Sequence, residues 1–150
     1  MLADFMAALD PVNAVADAAP GFVWRLRAED GNATSVRAFE WDQAGSAGVI
    51  VNMSVWEPVE ALAGFVCSGP HVAVLRRRRE WFERMRESYS ALWWIPAGAL
   101  STTQDAEQAV RMVRANGPTP AAFTLKEHFP PPGVPGRGPE LAPRDWMCPA

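Results

Sequence analysis

At 150 residues, 49% of them hydrophobic and 21% charged, the chain has the size and balance of one globular domain that buries roughly two-thirds of its unfolded surface. A formal charge of −3 excludes a general nucleic-acid footprint, despite four consecutive arginines at 76–79. No apolar run approaches the length a bilayer requires, so no membrane partner is expected.

In chain order, Leu2, Phe5, Met6, Leu9, Val12 and Val15 recur at helical spacing, which predicts a helix over 2–18 that Pro11 kinks or splits. Its acidic opening lacks a long apolar core and does not read as a signal peptide. After Pro20-Gly21, residues 22–28 alternate as a half-buried strand does, with Phe22, Trp24 and Leu26 against Val23, Arg25 and Arg27. Asp30-Gly31-Asn32 is a hairpin signal, and 34–41 is the returning strand.

The clearest strand is 49–56. Val49, Val51, Met53 and Val55 share one side, as for a face covered by helices. Ile50, Asn52, Ser54 and Trp56 share the other, a mixture that suits a cavity or a subunit interface. Pro58 at a first helical position and Glu60 in the first turn open a helix. Ser68-Gly69-Pro70 interrupts it, and it restarts at His71. Residues 91–95 form a strand closed by Pro96 and Gly98. Thr102, with Asp105 three positions on, opens a helix that Gly117-Pro118 ends.

Half of the 14 prolines fall after residue 128, so 129–150 reads as an irregular tail on a domain spanning 1–128. The element order predicts an α+β fold with an antiparallel sheet backed by helices. Only two cysteines occur, Cys67 and Cys148, far apart and in no metal-like spacing. Cys67 reads as a small buried hydrophobe, nothing asks for an oxidising compartment, and the expected location is cytoplasmic.

The segments DPVNAVADAAPGFVWRL (10–26), VNMSVWEPVEAL (51–62), RRREWFE (77–83), LWWIPAG (92–98) and GPTPAAFT (117–124) closely resemble a bacterial family catalogued as domain of unknown function 3291. The resemblance covers residues 4 to 129, in order. The family is similar to the dimeric α+β barrels, ferredoxin-like units whose two sheets face each other around a pocket. Relatives there include cofactor-free antibiotic-biosynthesis monooxygenases, muconolactone isomerases and haem enzymes. The resemblance therefore implies a homodimer and a small-molecule substrate. It also implies a strand ahead of the first helix; this chain starts inside that helix, which would leave a sheet edge for a partner or the tail to cover.

Among candidate site residues, His71 stands first. It falls in the first turn of a helix, whose positive end disfavours imidazolium and keeps the ring neutral. A neutral imidazole is a general base or a haem ligand; the alternative is a ring that faces solvent or bonds a nearby carbonyl. Asn52 and Ser54 can orient a carbonyl or enolate oxygen, and Trp56 can stack on a flat substrate. The alternative for these three is a dimer interface.

Trp24, Trp93 and Trp94 lie on strands. Trp93 and Trp94 are adjacent, so at most one lines a cavity, and core packing competes for each. Arg25 can hold an anion or sit as a surface strand arginine. The arginines at 76–79 spread around a helix, with Arg76–Glu80 and Arg79–Glu83 as i,i+4 pairs on a solvated face. His128 is expected to be exposed. There is no GxGxxG, P-loop, HExxH or GxSxG, so nucleotide-phosphate, zinc-protease and serine-hydrolase chemistry has no support.

The leading expectation is a small-molecule enzyme without bound metal or cofactor, monooxygenase-, isomerase- or cyclase-like, acting on an aromatic or polyketide-like substrate of secondary metabolism. His71 would be the base, Asn52 and Ser54 would position an oxygen, and Trp56 and Trp93 would be apolar walls, with Trp24 and Arg25 as further substrate contacts. The alternatives are a haem protein with His71 as axial ligand, and a non-catalytic binding or dimerisation module.

Overall fold

The computed structural model describes residues 2–28, 39, 49–67, 69–82, 84 and 86–136. It is a mixed α+β fold: four α-helices and, among the described residues, a two-stranded antiparallel sheet. The expected hairpin at 30–32 and, apart from Phe39, the strand expected at 34–41 lie outside the described residues, as does Glu83.

Helix α1 spans Leu2–Asp17 and runs unbroken through Pro11. It buries Phe5, Val12 and Ala16. At 100° per residue, Val12 and Ala16 each fall about 20° from Phe5, whereas Val15 falls about 80° away. That is why Ala16 takes the buried place expected of Val15, which is 42% exposed. Packing along this stripe outweighs the one backbone hydrogen bond that proline removes.

Strand β1, Phe22–Arg25, pairs with β2, Ser54–Trp56, in the register Phe22↔Trp56, Trp24↔Val55, Arg25↔Ser54. An irregularity between Phe22 and Trp24 leaves Val23 51% exposed. Beyond the strands, Leu26 N–H donates to the Met53 carbonyl at 2.8 Å and Glu57 N–H to the Gly21 carbonyl at 2.7 Å. Both strands are therefore shorter than the alternation predicts. The alternation still sorts the side chains: Val51 and Met53 are buried, whereas Asn52 and Ser54 are exposed.

Helix α2, Val59–Val66, follows, with Pro58 at its cap rather than inside its first turn. Helix α3, Gly69–Arg77, restarts two residues before His71. A 3-10 turn at Arg78–Glu80 closes it. That tighter winding brings i,i+3 residues into line, so Glu80 bonds Arg77 at 2.8 Å rather than Arg76. Arg77 also lies 4.8 Å from the Trp81 ring centre. Residues 91–95 make no strand; Leu92 and Phe123 instead exchange two backbone hydrogen bonds of 2.8 Å as an isolated bridge.

Helix α4, Thr103–Asn116, is bounded as its sequence predicts. The Thr102 hydroxyl accepts from Asp105 N–H at 3.2 Å, and the Asp105 carboxylate accepts from Thr102 N–H at 2.7 Å. The bond from Thr102 N–H, and after it one that the Thr102 hydroxyl donates to the same carboxylate at 2.8 Å, hold the Asp105 carboxyl below its ordinary value. Gly117, at φ 70, ends the helix.

Helix α4 buries Ala106, Ala109, Val110 and Val113. Ala106 and Val110 join Phe39, Val51 and Met53 in the main core, and Ala109 and Val113 join Ala122 in a second. Replacing Thr102 by alanine removes one side of the reciprocal cap and is expected to cost about 1 kcal/mol. The melting temperature, followed by circular dichroism, then falls by about 2–4 °C.

Candidate functional site

The loop from β2 into α2 turns the chain back, so that the last turn of α2 covers the end of β2. The Phe65 ring lies on the Trp56 indole with centres 4.9 Å apart and planes at 25°. Phe22 meets the same indole edge-on at 5.3 Å. On its other side Phe65 reaches His71, at 5.0 Å and 54°. The result is a continuous row, Phe22–Trp56–Phe65–His71, built from β1, β2, α2 and α3.

At one end of the row the Trp56 indole N–H donates to the Ser54 hydroxyl at 2.8 Å. That bond occupies a lone pair on Ser54 and leaves its O–H to donate elsewhere. At the other end His71 Nδ1 lies 2.9 Å from the Val66 carbonyl. A carbonyl only accepts, so Nδ1 carries the ring proton and Nε2 carries the lone pair. Burial lowers the His71 pKa below its ordinary 6.5, opposed in part by that hydrogen bond. The ring is thus neutral near pH 7, one tautomer is selected, and its basic nitrogen is Nε2.

Two of the seven residues singled out from sequence, Trp56 and His71, belong to this row, and a third, Ser54, is hydrogen-bonded to Trp56. Asn52 is exposed two residues before Ser54. The described residues therefore leave that side of the strand open, where the alternation was read as facing a chamber or an interface.

Trp24 and Trp93 go elsewhere: both pack against the Phe39–Val51–Met53 core under α4, and the Trp93 indole N–H donates to the Ser101 hydroxyl at 3.1 Å. Trp94 takes a different direction from Trp93, as adjacency requires. Its indole N–H donates to the Phe129 carbonyl at 2.8 Å. Arg25, with 11% of its side chain exposed, is paired to Asp17 at 2.9 Å, and Arg27 reaches the same carboxylate at 2.9 Å. His128 is half-buried rather than exposed, with Nδ1 3.1 Å from the Leu125 carbonyl.

Sequence reasoning passed over Phe65, the residue that joins the two ends of the row. The available signal was its place in the last turn of an apolar helix that returns over a strand ending in tryptophan. Cys67, at the end of α2, is half-buried and disulfide-bonded. It is not the small buried hydrophobe expected.

Beside the row lies an open apolar groove on the surface. It is lined by Ala14 and Val15 of α1, by Ala18 just past the end of α1, and by Ala61, Gly64 and Phe65 of α2. Phe65 belongs to both the groove and the row. No helix among the described residues is long and apolar enough to cross a membrane.

Comparison with known proteins places one family over this chain: the family described as domain of unknown function (DUF3291) matches residues 1–137. No curated protein and no solved structure matches it.

Proposed function

The chain belongs to the DUF3291 family, and from that premise and the geometry around His71 we propose a small-molecule enzyme acting on an aromatic or polyketide-like substrate. The observation that carries the reading is the His71 ring: neutral, held in one tautomer by the Val66 carbonyl, and set at the end of a row of flat apolar rings. Its Nε2 accepts a proton from a phenolic O–H or an acidic C–H of the substrate. The phenolate or enolate so formed is the common entry to oxygenation, isomerisation and cyclisation, so all three reaction types would use the same residues. Positive charge appearing on the ring strengthens the Nδ1–H bond to Val66.

In this proposal the Ser54 hydroxyl and the Asn52 amide, at the far end of the row from His71, position a second, remote oxygen of the substrate. The stacked pair of Trp56 and Phe65 forms an apolar wall beside the substrate. Asn52 and Ser54 are exposed, and a second copy meeting them sheet to sheet would close the chamber, as in the dimeric α+β barrels the sequence resembles. Trp24 and Trp93 pack against the core, and Arg25 pairs with Asp17.

The test is the binding of a phenol. Wild-type protein titrated with 2-naphthol is expected to melt higher by mass action. His71→Phe, which removes the Nε2 acceptor for the naphthol O–H, should bind it more weakly. No binding by either protein, across a broad panel of hydroxylated arenes, would overturn the enzyme proposal and leave a non-catalytic assembly module.

The lowered pKa of His71 gives an independent check. The unfolded chain binds the proton more readily than the folded one, so the contribution is fully present above pH 6.5. It is lost as pH falls through 6.5 toward the lower folded value. The stability of His71→Gln, measured by urea unfolding, should therefore fall less steeply than that of wild type as pH drops from about 7 to about 5.

A second reading, a haem protein with His71 as axial ligand, draws on the same Nε2 lone pair and its carbonyl-fixed tautomer. Haem titration without a Soret shift eliminates it.

A further inference from the structure

Resting on that reading of the His71 site, we infer that the disulfide at Cys67 is a redox switch on the base. Oxidised, it holds the Val66 carbonyl against His71 and keeps Nε2 free to accept a proton. Reduced, it releases that carbonyl. Cys67 caps the C-terminal end of α2 and is disulfide-bonded. The chain has one other cysteine, Cys148, so a bridge within one chain joins these two.

The link to the chemistry is one peptide long. Val66 is the last residue of α2, and a carbonyl in the last turn of a helix has no partner within it. His71 Nδ1, 2.9 Å away, supplies one. Only two residues separate α2 from α3, and Cys67 is the first of them. The bridge therefore anchors the chain one residue from the carbonyl that selects the His71 tautomer.

Backbone freedom decides what reduction does. Cys67 then keeps its N–H bond to the Ala63 carbonyl at 3.0 Å but loses its side-chain anchor. Gly69 follows in the left-handed region at φ +56, and glycine re-orients more freely than any other residue. The Val66 carbonyl is then free to turn off the ring. Without it the imidazole exchanges between tautomers, and a ring protonated at Nε2 accepts nothing there.

Cys67 is half-buried rather than enclosed, so a thiolate can reach the bridge. A dithiol supplies the two electrons and two protons. Its thiolate attacks one sulfur, the S–S bond breaks, both cysteines end as thiols, and the dithiol closes to its own disulfide.

The experiment compares the full chain purified in air with the same chain after dithiothreitol, and with Cys148→Ser. Histidine labelled with nitrogen-15 reports the tautomer by NMR. The oxidised chain should show His71 protonated at Nδ1. Reduction and Cys148→Ser should each move it to a mixture, and reoxidation of the wild type should restore it. Affinity for 2-naphthol should fall about threefold or more, as for a competent ring populated about a third of the time. Dithiothreitol should change nothing further in Cys148→Ser. His128, whose Nδ1 lies 3.1 Å from the Leu125 carbonyl, is the internal reference and should keep its signal.

If His71 keeps its tautomer and 2-naphthol its affinity after reduction, the switch falls and the His71 reading stands. If the oxidised chain already carries its proton on Nε2, both fall. Free thiols titrated in the air-purified, denatured chain overturn the bridge itself, as does a covalent pair of chains on a non-reducing gel. An equal change at His128 marks general loosening and also overturns the switch. Should Cys148→Ser fail to fold, reduction and reoxidation of the wild type decide.

Discussion

Phe123→Ala is expected to cost about 3–5 kcal/mol, a large share of the roughly 5–15 kcal/mol that holds a domain of this kind together. Phe123 is 2% exposed and is the largest side chain buried so completely among the described residues. Its ring meets Trp94 at 6.2 Å and Phe129 at 6.0 Å, while its backbone exchanges both hydrogen bonds with Leu92. Alanine keeps those backbone bonds, so the loss reads side-chain packing alone. Urea unfolding followed by tryptophan emission should show the midpoint fall with little change in slope. Phe123→Leu, which leaves a smaller void, should lose markedly less. Equal midpoints for wild type and Phe123→Ala would mean that residues 92–94 and 123–129 do not pack as described.

Gly21→Ala comes next in size, and for a different reason. Gly21 has φ +80, and a Cβ there would stand 2.2 Å from the Glu57 carbonyl oxygen and 2.6 Å from the Ala61 Cβ. The first contact is with backbone and cannot be relieved by a rotamer change. The start of α2 must move away from β1, straining the hydrogen bond from Glu57 N–H to the Gly21 carbonyl.

Left-handed backbone at a residue with a side chain costs about 1–2 kcal/mol, and overpacking about 1–3 kcal/mol. A total on the order of 2–5 kcal/mol follows. Gly98 is the control, with φ +79 and nothing within 4 Å of its virtual Cβ. Gly98→Ala should lose only the conformational part. The difference between the two variants in urea unfolding measures the closeness of β1 to α2.

The candidate site was half legible. His71 could be picked out because Gly69-Pro70 restarts a helix just before it, and Ser54 with Trp56 because they alternate on one side of a strand. Each of those signals spans only a few residues. That the two sets meet depends on α2 folding back so that Phe65 bridges Trp56 and His71, and no local spacing records it. For the same reason Trp24 and Trp93 looked as eligible for a pocket as Trp56 did. A tryptophan on a strand carries the same pattern whether its side is covered by α4 or left for a ligand.

What the sequence determined by itself is what is written in adjacent positions. The reciprocal bonds of Thr102 and Asp105, the stop at Gly117 and the restart at Gly69 are all local backbone chemistry. The inward turn of Val51 and Met53 follows from a period of two. The tertiary structure decided what depends on partners distant in the chain. Pro11 is carried through α1 by burial of Phe5, Val12 and Ala16. Residues 91–95 keep a single bridge because their pairing depends on Phe123. Arg25 is claimed by Asp17 rather than left for an anion. Local hydrogen bonds and helix periodicity act over a few residues and can be read in one dimension; which apolar surfaces meet is settled only when the whole chain packs.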